Sequence, residues 1–115
     1  MPIPSNWHIK VELKLAALAQ ENSVMTYLDM VTYADIPSPH RIHQLAEFLE
    51  DLIKIDITLG QPIRAARIVS KTNHLPADGF FEYLARHGYV PSAGETRGDF
   101  HQRLLLEQGL AQNAN

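Results

Sequence analysis

With 115 residues, 45% of them hydrophobic and 20% charged, the chain has the composition of one soluble globular domain with a core that stands without staples. It contains no cysteine, which excludes disulfides, a thiolate nucleophile and cysteine-ligated zinc. The formal net charge of −3 runs against the basic surplus of most nucleic-acid binders, so any such activity must come from a local patch.

No apolar run approaches the roughly 18–20 residues that span a bilayer, and the opening MPIPSNWH lacks a basic-then-apolar signal pattern. The expectation is a single domain over residues 1–115, core about 7–109, in a cytoplasmic protein without membrane association. Asn6 is placed to cap a first helix, Trp7–Glu21, in which Val11, Leu15 and Leu18 share a face with help from Ile9 and Leu13. The Asn22-Ser23 pair breaks it. Val24 and Met25 form a short extended piece before Thr26 caps a second helix, Tyr27–Ala34, with Asp29 standing in for the Glu or Gln of a capping box.

Asp35-Ile36-Pro37-Ser38-Pro39 then leads tightly into a long helix. Ser38 suits its N-cap and Pro39 its first turn, where a missing N–H loses nothing. Ile42, Leu45, Leu49, Leu52 and Ile53 form one apolar stripe, while His40, Arg41, His43 and Gln44 lie on or beside the opposite face. Gly60 followed by Pro62 stops the helix. Two helices joined so briefly suggest a helix-turn-helix, and the basic front of the second is built like a recognition helix, as are many ordinary helices.

Beyond Gly60 the periodicity changes. Ile63–Ser70 reads as a strand turned at Thr72-Asn73, with Leu75-Pro76-Ala77 returning beside it. Asp78 caps a helix around Phe80–His87 closed by Gly88, Tyr89–Gly98 is loop, and Asp99 caps a last helix, Phe100–Gln108, ended by Gly109. Residues Ala111–Asn115 fray. The expected fold class is mainly α with a small β element: winged-helix-like, with a helix-turn-helix, a short strand or hairpin and a C-terminal helix.

Three short motifs carry a family resemblance. Thr26-Tyr27 followed by an apolar helix and Ile36-Pro37-Ser38-Pro39-His40-Arg41, then Arg64-Ala65-Ala66-Arg67-Ile68-Val69, then Arg103-Leu104-Leu105-Leu106-Glu107-Gln108-Gly109 occur in one order. Together they resemble the DNA-binding domain of the O6-alkylguanine-DNA alkyltransferases and their alkyltransferase-like relatives, loosely over residues 9–109. That family keeps an arginine fourteen positions after the tyrosine, the interval from Tyr27 to Arg41.

The departures decide the chemistry. Ala65 stands where the family has its alkyl-accepting cysteine, Ala66 where it has the activating histidine, and Gln108 near the glutamate that orients that histidine. Alanine supplies neither nucleophile nor base, so suicidal alkyl transfer is excluded and no enzyme is expected. The alkyltransferase-like relatives also lack the cysteine, yet bind damaged DNA. They usually keep an aromatic residue at the position of Ala66. The segment from Arg41 to Ala65 is longer here by about two helical turns, and its added part, from Glu47, Glu50 and Asp51, is acidic.

The resemblance implies that Arg41 enters the base stack in place of an extruded nucleotide. It implies that Tyr27 stands near a phosphate, and that Ala65 and Ala66 floor the pocket for an altered base. Ser38, His40, His43, Arg64, Arg67 and Lys71 complete the expected contacts with duplex DNA. Each has a plainer reading: a solvated arginine, a half-buried tyrosine, arginines that solubilise an edge strand. His40, His43 and Glu47 share a helical face, but no further ligand accompanies them, so no metal or cofactor is expected. The alternative to DNA binding is a protein-interaction or regulatory domain of the same fold, meeting its partner through Phe80–His87, where the aromatics equally suit the core.

Overall fold

Helix α1, Asn6–Glu21, is the first element of the computed structural model, which describes residues 6–113 and the side chains of residues 7–109. Trp7, Val11, Leu15 and Leu18 are buried along one face. Ile9 and Leu13 are 49% and 67% exposed, against expectation. Each lies two residues from Val11, about 200° around the helix, so helical geometry puts them on the opposite side. The Asn6 side chain and residues 114–115, on which the expected cap and part of the expected frayed end fall, lie outside the described residues.

Strand β1 (Met25–Thr26) leads directly into α2 (Tyr27–Ala34). The Asp29 amide donates to Thr26 Oγ1 at 3.0 Å, so Thr26 is the expected N-cap. At the far end Asp35 adopts a left-handed conformation, φ 56°, and its amide and that of Ile36 close onto Val31 O and neighbouring carbonyls.

Helix α3 runs Arg41–Leu59, two residues shorter at its front than Pro39 suggested. His40 O, not Ser38, accepts the first helical bond, from Gln44 N at 2.9 Å, and His40 itself is left-handed at φ 57°. Among the described residues no side chain caps the α3 amides in the place Ser38 was expected to take. Gln44 Nε2 instead donates back to Pro37 O and Pro39 O at 2.7 and 2.8 Å and ties the connection to the first turn. Leu45, Leu49, Leu52 and Ile53 are buried; Ile42, the first of the stripe, is 49% exposed because it precedes the packed section. Gly60, at φ 67°, ends the helix as expected, its left-handed conformation being one that glycine adopts without steric cost.

The strand expected over Ile63–Ser70 is mostly something else. Arg64–Arg67 is a 3₁₀ turn, and only Ile68–Val69 (β2) is extended. It pairs in parallel with β1, Met25 opposite Ile68 and Thr26 opposite Val69, rather than with a returning strand. Leu75–Ala77 is instead held at its two ends, Ser70 N donating to Leu75 O at 2.7 Å and Ala77 N to the Tyr27 hydroxyl at 3.0 Å. With both ends so committed, that segment forms no hairpin strand.

Helix α4 (Asp78–Arg86) follows, its Phe80, Phe81 and Leu84 buried. Asp78 lies within its first turn and bonds Arg97 Nη1 at 2.7 Å instead of capping. Helix α5, Arg97–Asn113, starts earlier than expected because Thr96 is its cap. Thr96 Oγ1 accepts from Asp99 N while Asp99 Oδ2 accepts from Thr96 N, at 3.1 and 3.2 Å, a reciprocal capping box. Gly109 does not end α5; the helix runs through it. The fold is mainly α with a small β element, and its core is one cluster fed by α1 to α5 and the 3₁₀ turn. No helix among the described residues is long and apolar enough to cross a membrane.

Candidate nucleic-acid interface

The junction of α2 and α3 positions the face on which most of the expected contact residues lie. Arg41 holds it together: Nε donates to Ile36 O at 2.6 Å and Nη2 to Val31 O at 3.2 Å. Val31 O, already met by the capping amides of Asp35 and Ile36, has a second lone pair to offer, Ile36 O lies just past the helix end, and a cation there meets the negative end of the helix dipole. The arginine expected to reach into a base stack therefore braces α2 against α3, and its guanidinium is half-buried rather than displayed.

Around it, Ser38, His40 and His43 are exposed and share one shallow depression with Arg41, Leu28, Val31 and Ile42. His43 Nε2 lies 2.7 Å from Glu47 Oε1, so a neighbouring carboxylate already attends this imidazole. Adjoining the depression, and sharing Leu28 and Ile42 with it, is a cavity of about 330 Å³. That volume lies near the lower bound of small-molecule sites, roughly 300–1,000 Å³.

Three elements build the cavity. Leu28, Thr26 and Tyr27 come from the start of α2; Ile42, Ala46, Leu49, Glu50 and Ile53 repeat along one side of α3; Gly79 and Phe80 come from α4. Ser70, Lys71 and Thr72 stand at the turn after β2. The lining is mostly apolar. Tyr27 is fixed in this wall, since its hydroxyl oxygen accepts the Ala77 N–H and its proton remains free to donate. Burial raises the pKa of its phenol, and the Ala77 bond opposes that rise. The tyrosine stays neutral at physiological pH.

Six expected contact residues thus lie on one continuous face: Tyr27 and Lys71 on the cavity, Ser38, His40, Arg41 and His43 on the depression. The other four are elsewhere. Ala65 and Ala66 are buried in the core and neither lines this cavity; Ala66 O instead takes a bond of 2.8 Å from His101 Nε2. The expected alanine-floored pocket is corrected accordingly, because the 3₁₀ turn points both methyl groups inward.

Arg64 and Arg67 are likewise committed. Arg64 donates from its amide and Nε to Asp56, pairs with it through Nη2 at 2.9 Å, and reaches Glu12 with Nη1 at 3.2 Å. Arg67 is 1% exposed, its guanidinium bonded to Gln108 Oε1, Asn22 Oδ1, Ser23 O and Leu105 O. Burial lowers its pKa. Neither is an edge-strand cation or a free phosphate ligand; both tie the 3₁₀ turn to the helices around it.

Reading the sequence missed Leu28, Ala46, Glu50 and Phe80 as cavity walls and Asp56 as a buried anchor. A signal for Asp56 was there: it continues the 3-4-3-4 spacing of Ile42, Leu45, Leu49 and Leu52, so a carboxylate occupies a core position. Phe80–His87, the segment expected to meet a protein partner, spends Phe80, Phe81 and Leu84 in the core and exposes Glu82, Arg86 and His87. No family model, no curated protein and no solved structure matches the chain.

Proposed function

We propose that this chain is a non-catalytic, alkyltransferase-like DNA-binding protein that recognises an altered base by nucleotide flipping. The observation that supports this reading is the continuity of the two concavities through Leu28 and Ile42, with Tyr27, Ser38, His40, Arg41, His43 and Lys71 around them. In this reading the α2–α3 face meets the duplex and the extruded base enters the apolar cavity beside Tyr27. Lys71, the serine and the histidines face phosphates. No step of bond making is assigned to it, since Ala65 and Ala66 offer neither nucleophile nor base.

Fluorescence anisotropy with a labelled duplex, with and without O6-methylguanine, tests the reading. Association in the micromolar range or tighter, weakening steeply with salt and reduced by Lys71→Glu, is the expected result. Absence of association at low salt would sink it.

Three observations favour the second reading, a protein-interaction domain. Leu28 and Ile42 are 55% and 49% exposed at the meeting point of the concavities, Glu50 lines the cavity, and the net charge is −3. A partner would then dock an apolar side chain there, in place of the Phe80–His87 segment.

A further inference from the structure

Among the described residues Glu50 is the one carboxylate in the wall of the cavity, and it stands among apolar groups. Half-buried on the same side of α3 as Ala46 and Ile53, it makes no ion pair or hydrogen bond among the described residues. Lys71 lines the same cavity yet does not pair with it. Two aromatic rings, Tyr27 and Phe80, share the lining. Tyr27 is held rigid by Ala77, and Phe80 is pinned edge-on against Phe81 at 5.2 Å between ring centroids.

An unpaired carboxylate beside aromatic rings in an apolar recess is chemistry that selects an organic cation. The rings attract positive charge through their quadrupoles, and the carboxylate gains from a cation that displaces water from the recess. A neutral base would bury Glu50 without compensation, which costs free energy. We infer that the cavity prefers a positively charged, N-alkylated purine over a neutral base, with Glu50 as the determinant of that preference. This inference rests on the reading of the cavity as the place of the extruded nucleotide. The opposite charges at the site suit such a nucleotide, its cationic ring toward Glu50 and its phosphate toward Lys71.

An isomeric pair of probes isolates charge from size. 1-Methyl-2′-deoxyadenosine is a cation at neutral pH, whereas N6-methyl-2′-deoxyadenosine has the same carbon, nitrogen and oxygen atoms and is neutral. Each is titrated as the free nucleoside by NMR and at one position of a labelled duplex by anisotropy, against the full chain and Glu50→Gln. The cationic nucleoside is expected to bind about tenfold more tightly than its isomer, with shift changes at the cavity residues. Glu50→Gln is expected to erase that difference, the cation binding the variant less tightly and the neutral isomer no less tightly than before. Equal affinities, a preference that survives Glu50→Gln, or no nucleoside binding at millimolar concentration overturns the inference. Duplex association without discrimination leaves the DNA reading standing while removing this one. Nucleoside discrimination without any duplex association does the reverse.

Discussion

Asp56 receives Arg64 on both of its oxygens, Nε lying 2.9 Å from Oδ1 and 3.1 Å from Oδ2, in a site with no solvent exposure at the carboxylate. The Arg64 amide and Gln61 Nε2 complete its shell. Asp56→Ala leaves Arg64 with Glu12 as its remaining carboxylate partner and strips the acceptor from the Arg64 amide and Gln61. It is expected to cost about 3 kcal/mol, read from urea unfolding. A change smaller than about 1 kcal/mol would mean that water replaces the carboxylate easily.

Arg67 offers a sharper separation of structure from binding. Its guanidinium reaches four acceptors that a lysine ammonium, a compact point charge, does not span. Arg67→Lys is expected to lower stability by about 2 kcal/mol and to leave the affinity of the folded fraction for duplex DNA unchanged. A lost phosphate contact, seen as a smaller salt dependence of binding, would show that Arg67 swings outward.

His101 gives the fold a pH dependence of known sign. Burial holds its pKa below the ordinary 6.5, the charge of Arg67 lowers it further, and the bond with Ala66 O acts in the opposite direction. The folded state therefore binds fewer protons than the unfolded chain as pH falls below about 6.5, and stability declines from there toward the folded pKa. His101→Gln keeps a donor for Ala66 O and removes the titration. As the pH drops below the ordinary 6.5, the urea midpoint of the native protein should fall more than that of the variant. Parallel curves would assign the acid sensitivity to carboxylates.

Leu28→Arg separates the two functional readings. The residue is largely exposed, so its replacement is expected to change stability by no more than about 0.5 kcal/mol. On a DNA-binding face the added cation strengthens association with duplex and steepens its salt dependence. On a surface that docks an apolar side chain of a protein it weakens binding. Anisotropy at two salt concentrations reads the sign.

Much of the helical framework was legible because helix signals are local. Thr26 caps α2, Gly60 ends α3, and Val11, Leu15 and Leu18 mark a buried face through their spacing alone. Where an end is set by a reach across the turn, the local reading slipped. Gln44 folding back onto Pro37 and Pro39 moved the start of α3, and the reciprocal bonds of Thr96 and Asp99 moved that of α5.

The candidate site divides the same way. Residues 27, 38, 40, 41, 43 and 71 share a face because the short connection between α2 and α3 and the pairing of β2 with β1 bring them there. No pattern in the chain announces that Arg64 is drawn to Asp56, Arg67 to Gln108, or Ala66 to His101, since those partners stand 8, 41 and 35 residues away. Charge and side-chain length are written in the sequence. Which arginine faces solvent and which fills the interior depends on acceptors that only packing assembles.

Alone, then, the sequence determined a helical chain with a basic-fronted long helix and no cysteine, because spacing, capping and residue chemistry act over a few positions. Only the tertiary structure decided where the hollow lies and which cations border it. A cavity belongs to the space between elements, and buried charges settle where distant carbonyls and carboxylates can receive them.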